Sequence, residues 1–293
     1  MLSKTTWGEK LFDAFNIAFM LILCIVTLYP FMYVLFASLS EPLSIVQHRG
    51  LLLWPQGLNL KAYKAVFDNP MIPSGYRNTL FYVVLGTSIN ILMTSLGAYV
   101  LSRRNVLFKN AIMIMIVITM FFHGGLIPSY LLITKLGMLN TPWALIIPGA
   151  ISTWNLIIMR TSFQSIPASL EESARIDGAN DFAICFRIIL PLSLPVIAVM
   201  ILFYAVGHWN AWFDAMIYLR NRQLFPLQLI LREILITNNT DTMTTNVGSL
   251  EAMYLAETIK YATIMVATIP ILVLYPFLQK YFVKGVMIGA IKE

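Results

Sequence analysis

Of the charged side chains in the short segment Ser165–Asp181 between two long apolar runs, four stand close together: Glu171, Glu172, Arg175 and Asp177. Pro167 suits the first position of a helix, where its missing N–H is harmless. Gly178 suits the left-handed residue that closes a helix, and Asn180 or Asp181 can cap a second short one. The segment therefore predicts a helix-turn-helix exposing small residues and charges. These residues alone leave two readings open. One is a knob inserted into a cleft on a partner, with the four charged groups as polar anchors. The other is an ordinary solvated amphipathic loop.

Other chemistry is scarce. No Asp, Glu, Lys or Arg lies in the runs 14–40, 78–102, 110–134, 136–159, 188–213 and 261–279. Ion-coupled carriers usually bury acids at such depths as ligands or relays. His123 and His208 are the titratable candidates there, and a lone histidine in such a setting is more often a hydrogen-bonded packing residue than a relay. No G-x-x-x-x-G-K-[ST] phosphate loop occurs in the chain. A motor, if there is one, belongs to another subunit. Cys24 and Cys185 show no paired spacing, so no disulfide is predicted. Cys24 is expected to pack as a small hydrophobe.

The elements that carry these residues follow from composition. Hydrophobic residues make up 58% of the 293 and charged residues 12%, with a mean hydropathy of +0.75. A soluble domain carries about 25% charged residues, so a soluble enzyme fits poorly. A helix of about 20 apolar residues crosses about 30 Å of hydrocarbon. The expected fold is all-α and polytopic, one transmembrane domain over residues 1–293. Its spans fall at about 14–39, 78–102, 110–134, 141–159, 188–213 and 261–280, with a loop at 160–187 and outer loops at 40–77 and 214–260. Continuous runs argue against a β-barrel, which alternates over ~10-residue segments. The first run is too long for the h-region of a signal peptide, about 7–15 residues, and is read as a retained helix.

Orientation follows from short basic segments, which favour the cytoplasm. Arg103, Arg104 and Lys109 follow the second run, Lys280, Lys284 and Lys292 follow the sixth, and Lys4 and Lys10 precede the first. All three segments share one side, so both termini and the loop 160–187 are expected in the cytoplasm. The net charge of +6 belongs to these membrane faces rather than to a nucleic-acid patch. Pro142, Pro148, Pro191, Pro195, Pro270 and Pro276 imply kinks or helix starts, and Gly124-Gly125 with Pro128 interrupt the third run. Gly86, Thr87, Ser88, Thr94, Ser95, Gly97 and Ala98 permit close helix contact in the second.

The order Glu172-x-Ala174, three residues, Gly178, nine residues, Ile188-x-Leu190-Pro191 resembles the coupling motif of ABC-type import permeases, E-A-A-x3-G-x9-I-x-L-P. Ser173 stands in place of the middle alanine. The surrounding Ile166–Ala179 and His208-Trp209-Asn210-x-Trp212-Phe213-Asp214 are similar to the carbohydrate-uptake branch, that of the maltose importer's second permease. Phe225-Pro226-Leu227-Gln228-x-x-Leu231-Arg232-Glu233 is similar to the oligo- and polysaccharide subgroup, which includes the alginate importer's permeases. The resemblance covers essentially the whole chain.

That resemblance implies a type I importer permease fold and a non-enzymatic subunit of the bacterial inner membrane, working by alternating access. Glu171, Glu172, Ala174, Arg175, Asp177, Gly178, Ile188, Leu190 and Pro191 would form the ATPase-coupling segment. Lys284, Gly285, Gly289 and Lys292 lie in a tail that would reach between two ATPase subunits, its glycines permitting an extended or turning backbone; a frayed tail is the bland alternative. Trp209, Asn210, Trp212, Asp214 and Asn239 would border the substrate pathway or touch a binding protein. The implied partners are a second homologous permease, two ATPase subunits holding ATP and magnesium, an extracytoplasmic sugar-binding protein, the carbohydrate and the lipid bilayer. The chain itself is expected to bind no cofactor, metal or nucleic acid. Trp54, Tyr63, Trp209, Trp212, Tyr218 and Tyr254 suit either sugar faces or the membrane interface. An ion-coupled secondary carrier without an ATPase is the alternative function, and the acid-free runs speak against it.

Overall fold

A computed structural model describes residues 6–236 and 249–290, the latter with side chains at 253–273 and 276. Among the described residues the ordered backbone is helical apart from one antiparallel bridge between Ser40 and Leu58. The helices are α1 (Trp7–Ser38), α2 (Pro42–Gln47), α3 (Lys61–Asp68), α4 (Met71–Phe81), α5 (Thr87–Ser102), α6 (Lys109–Phe121), α7 (Leu126–Lys135), α8 (Trp143–Ile146), α9 (Thr153–Gln164), α10 (Ala168–Ile176), α11 (Asp181–Ile184), α12 (Leu190–Leu192), α13 (Leu194–Trp209), α14 (Phe213–Tyr218), α15 (Leu227–Ile236) and α16 (Ser249–Ala290). Single π-helical stretches at Tyr82–Gly86 and Cys185–Ile189 join α4 to α5 and α11 to α12.

The chain forms two compact units, Met1–Pro70 with Glu233–Ile269 and Met71–Arg232 with Pro270–Glu293. In the first unit, Thr6 and Glu9 start α1 with a reciprocal capping box. The most apolar stretch of α1 is entirely unburied, and Cys24 lies on that exposed surface rather than in a core. Near its end, Tyr33 meets Tyr261 edge-on at 5.9 Å, and the hydroxyls of Ser38 and Tyr63 lie 2.8 Å apart.

In the second unit, Ala98, Tyr99 and Leu101 of α5, Met159 and Phe163 of α9, and Ile184, Ile189 and Met200 further on belong to one buried apolar cluster. The small residues of α5 do bring helices close. A Cβ at Gly97 would stand 3.1 Å from Leu156 Cδ1.

Three of the expected spans are single helices able to cross a membrane: Trp7–Ser38, Met71–Ser102 and Met253–Val273. Two are bent pairs, Lys109–Phe121 with Leu126–Lys135 at 114° and Asp181–Leu192 with Leu194–Trp209 at 87°. The first bend falls at Gly124-Gly125, where Gly125 has φ +88°, and the second lies between Pro191 and Pro195. The expected helix at 141–159 is interrupted instead. It ends with α8 at Ile146 and resumes at Thr153, leaving Pro148 and Gly149 in a non-helical stretch. Pro148 cannot donate to a helical ladder, and Ser152 restarts the helix by accepting from Asn155 N. Pro270 and Pro276 start no helix, since α16 runs through both.

Candidate coupling site

Local chemistry builds the helix-turn-helix much as its residues demand. Pro167 occupies the cap position just before α10, one place earlier than expected, with φ −55° and ψ 132°. The helix closes through Gly178 at φ +83°, where Ala179 N donates to Ala174 O at 2.9 Å and Gly178 N to Arg175 O at 3.0 Å. This paired pattern satisfies carbonyls that a helix end leaves orphaned. Asn180 then caps α11, its Oδ1 accepting from Ala183 N at 2.8 Å.

The faces of α10 are sharply different. Ala174 is buried in the apolar cluster with Tyr99, Phe163 and Ile184, which leaves no room for a larger residue class without repacking. Ile188 and Leu190 pack against the same cluster, and Pro191 lies at the bend. Outward, Glu172 and Asp177 are exposed, and so are Ile176 (87%) and Phe182 (68%).

Glu171 and Glu172 were expected to serve alike as anchors, and the structure separates them. Arg103 Nη1 donates to Glu171 Oε2, and both side chains are mostly shielded. Arg175 donates to Glu171 Oε1 at 3.0 Å and to Asp181 Oδ1 at 2.5 Å. Tyr99 Oη donates to the same Asp181 oxygen at 3.3 Å, and the Arg103 guanidinium lies 5.0 Å from the Tyr99 ring centroid. Burial alone pushes the Glu171 carboxyl up, but hydrogen bonds from Arg103 and Arg175 outweigh it and hold the group below its ordinary value. Glu171 is thus held inward, while Glu172 makes no hydrogen bond or ion pair among the described residues. Arg160 Nε and Lys109 Nζ each donate at 3.0 Å to carbonyls at the end of α5, those of Leu101 and Arg103. Cations at a helix C-terminus satisfy orphan acceptors and the helix dipole together.

The other expected site residues are scattered. Trp209 is buried against Tyr76, their rings 6.3 Å apart, and its Nε1 has no hydrogen-bond partner among the described residues. Asn210 ends α13 and bonds back to Val206 O. Trp212 stacks under Arg232 at 4.9 Å. Asp214 lies in the first turn of α14, where desolvation pushes its carboxyl up. Gly285 and Gly289 fall inside α16 together with Lys284, so the expected extended or turning backbone is helical there. Asn239 and Lys292 lie outside the described residues.

Sequence reasoning missed two groups. Arg103 counted only as a topological marker, and Asn78, Thr79 and Tyr82 drew no notice at all. The last three hold the loop before α15: Asn78 Nδ2 donates to Gln223 O at 2.6 Å and Phe225 O at 3.0 Å. Tyr82 Oη donates to Leu224 O at 2.8 Å and Leu227 N to Thr79 Oγ1 at 2.8 Å. Polar residues in an otherwise apolar run were the available signal.

The described chain thus combines long apolar helices with a charged, outward-facing knob at α10. Residues 94–288 match the family described as the inner membrane component of binding-protein-dependent transport systems, and the chain belongs to that family. It is 42% identical over 287 residues to the polygalacturonan/rhamnogalacturonan transport system permease protein YtcP of Bacillus subtilis (strain 168), covering 97% of this chain and 99% of that one. It is 41% identical over 288 residues to protein LplC of the same organism, covering 98% and 97%. Among solved structures it is similar to a chain of a bacterial ABC transporter involved in the import of the acidic polysaccharide alginate. That match has a TM-score of 0.86 and 33% identity, covering 95% of this chain and 99% of the other. The fold is therefore that of an ABC importer permease.

Proposed function

We propose that this chain is the membrane-spanning subunit of an ATP-driven importer for acidic oligo- or polysaccharides, in the bacterial cytoplasmic membrane. Six spans in one domain, with both termini cytoplasmic, remain our reading of its topology. A second homologous permease completes the pathway, two ATPase subunits hold ATP and magnesium, and an extracytoplasmic binding protein delivers substrate. Support for the substrate class comes from two similar proteins, one a polygalacturonan and rhamnogalacturonan permease and one from an alginate importer. All of these polymers carry carboxylates.

The observation that carries the reading is the two-faced helix α10, anchored inward by Ala174 and Glu171 and open outward at Glu172, Ile176 and Asp177. A closing ATPase would engage the outward face through apolar contact at Ile176 and charge at Glu172 and Asp177. The chain joins α10 directly to α9 and, through Gly178, to α11, so displacement of the knob rocks the helices on either side. The bends at 114° and 87° supply places where such a bundle can rearrange. The tail with Lys284, Gly285, Gly289 and Lys292 would add a second contact between the ATPases.

The test is uptake by vesicles holding the reconstituted complex. Uptake should require ATP and the ATPase subunits, survive collapse of proton and sodium gradients, and favour uronate-bearing oligosaccharides over neutral ones of equal length. Transport that disappears with the proton gradient while ATP remains would return the chain to the ion-coupled alternative.

A further inference from the structure

One guanidinium joins the end of α5 to α9 and α10, across 60 and 68 residues of chain. Arg103 follows the last residue of α5, in extended backbone at φ −72° and ψ 149°. Its Nη1 reaches Glu171 of α10, its Nη2 donates to Phe163 O of α9 at 3.2 Å, and its Nε donates to Ser102 Oγ at 2.9 Å. From Glu171 the contacts continue to Arg175, from Arg175 to Asp181, from Asp181 to Tyr99, and Tyr99 lies under Arg103 again. The ring is closed.

Exposure ranks its members. Arg103 and Glu171 are 14% and 16% exposed, whereas Arg175 and Asp181 are 51% and 62% exposed. Exposed pairs are screened and contribute little. A shielded pair has a fixed geometry, and loss of one partner leaves the other charge stranded. The inner pair is therefore the part of the ring that holds position.

Covalent structure makes that position matter. The linker 165–167 attaches α10 to α9, and Gly178 attaches it to α11. Nothing covalent near α10 attaches it to α5. Apolar contact through Ala174 and Tyr99 joins them, but apolar contact is non-directional and permits sliding. The planar fork of arginine fixes angle as well as distance.

We propose that Arg103 is a positioning residue that locks α10 to the end of the Met71–Ser102 helix through Glu171, so that displacement of α10 is passed to that helix instead of being lost in the linkers. This role rests on the reading of α10 as the ATPase-coupled element. It gives Arg103 and Glu171 a task distinct from docking, which is left to Glu172, Ile176 and Asp177.

Two measurements test it. Spin labels at Arg104→Cys and Ser169→Cys, in a Cys24→Ser/Cys185→Ala background, report the α5–α10 distance in the full-length chain in lipid nanodiscs and in the complex. The distribution should be narrow, should broaden in Arg103→Gln and in Glu171→Gln, and should narrow again in the charge-swapped Arg103→Glu/Glu171→Arg. Substrate moved per ATP hydrolysed should fall about tenfold in the single variants, with the complex still assembled, and recover at least in part in the swap. Unbroadened distances in both single variants overturn the proposal whatever drives transport. Broadened distances with wild-type transport per ATP also overturn it, since the pair would then only stabilise the fold. If the unsubstituted complex takes up nothing in an ATP-dependent way, the functional reading fails, and the transmission role falls with it.

Discussion

A Cβ added at Gly86 would stand 2.5 Å from Nε2 of His208. The imidazole cannot retreat, because Nε2 is held at 2.7 Å by Asn90 Oδ1, which as an acceptor fixes the proton on that nitrogen. Asn90 in turn donates from Nδ2 to Gly149 O at 2.7 Å. Nearby, Thr94 Oγ1 and Tyr204 Oη lie 2.7 Å apart, and Ser152 N donates to Tyr204 Oη at 3.0 Å. Helices α5 and α13 thus supply the polar groups that satisfy both sides of the non-helical stretch between α8 and α9. Backbone freed from a helix needs such partners wherever water does not reach it.

Gly86→Ala should therefore destabilise the chain by about 1–3 kcal/mol through overpacking. Gly97→Ala should cost less, because its nearest obstacle is the flexible tip of Leu156 at 3.1 Å. Thermal midpoints of the two variants in nanodiscs decide the matter. Equal midpoints would mean that His208 moves freely.

Asn90→Leu removes the group that bridges His208 and Gly149 while keeping volume. It strands the half-buried imidazole of His208 and the Gly149 carbonyl, which costs about 1–3 kcal/mol in all. Hydrogen exchange should rise at residues 147–153 well before the rest of α9 opens. Protection unchanged from wild type would leave the break supported by something other than this network.

These relationships show where the sequence was legible. Gly178 announced its role because glycine, following a run of helix formers, is the residue that enters φ > 0 without steric cost, and φ is +83° there. Asn180 declared itself by the same kind of local rule. The charge-free runs marked apolar helices, because the cost of burying charge in lipid is a property of composition. The fourth run misled for that reason: composition does not register backbone conformation, and its partners Asn90 and Tyr204 lie 59 and 52 residues away from the groups they satisfy. The Arg103–Glu171 pair spans 68 residues. A single arginine beside Arg104 reads equally well as a membrane-face charge, and only the fold brings it under α10.

Acid sensitivity of the coupling segment follows from Glu171. Its folded carboxyl sits below its ordinary value, so the ionised group stabilises the folded state above the unfolded pKa, and this contribution is lost as pH falls through the folded value. The stability difference between wild type and Glu171→Gln should thus be constant across about pH 6–8 and shrink only below the ordinary carboxylate range. Chemical denaturation of both proteins across that range measures it. A difference that already declines at neutral pH would mean that the carboxyl is not held down by Arg103 and Arg175.

The turn at Gly178 separates backbone conformation from contact. A Cβ there meets nothing within 4 Å, so substitution creates no clash, and φ +83° alone decides the outcome. A β-branched residue in this region is a steric outlier, whereas asparagine enters it readily. Gly178→Val should shift the Schellman closure and misalign α10 against α11, and Gly178→Asn should be close to wild type. Glu172→Lys makes the complementary change: the side chain is exposed and has no partner among the described residues, so folding should be untouched while contact with an ATPase is reversed in sign. In the purified complex, stimulation of ATP hydrolysis by substrate-loaded binding protein should be lost in Gly178→Val and Glu172→Lys and kept in Gly178→Asn. Asn105→Ala, in the exposed loop after α5, should also keep it. Wild-type stimulation in both Gly178→Val and Glu172→Lys would make the whole segment a bystander, because backbone geometry and outward charge would then both be dispensable.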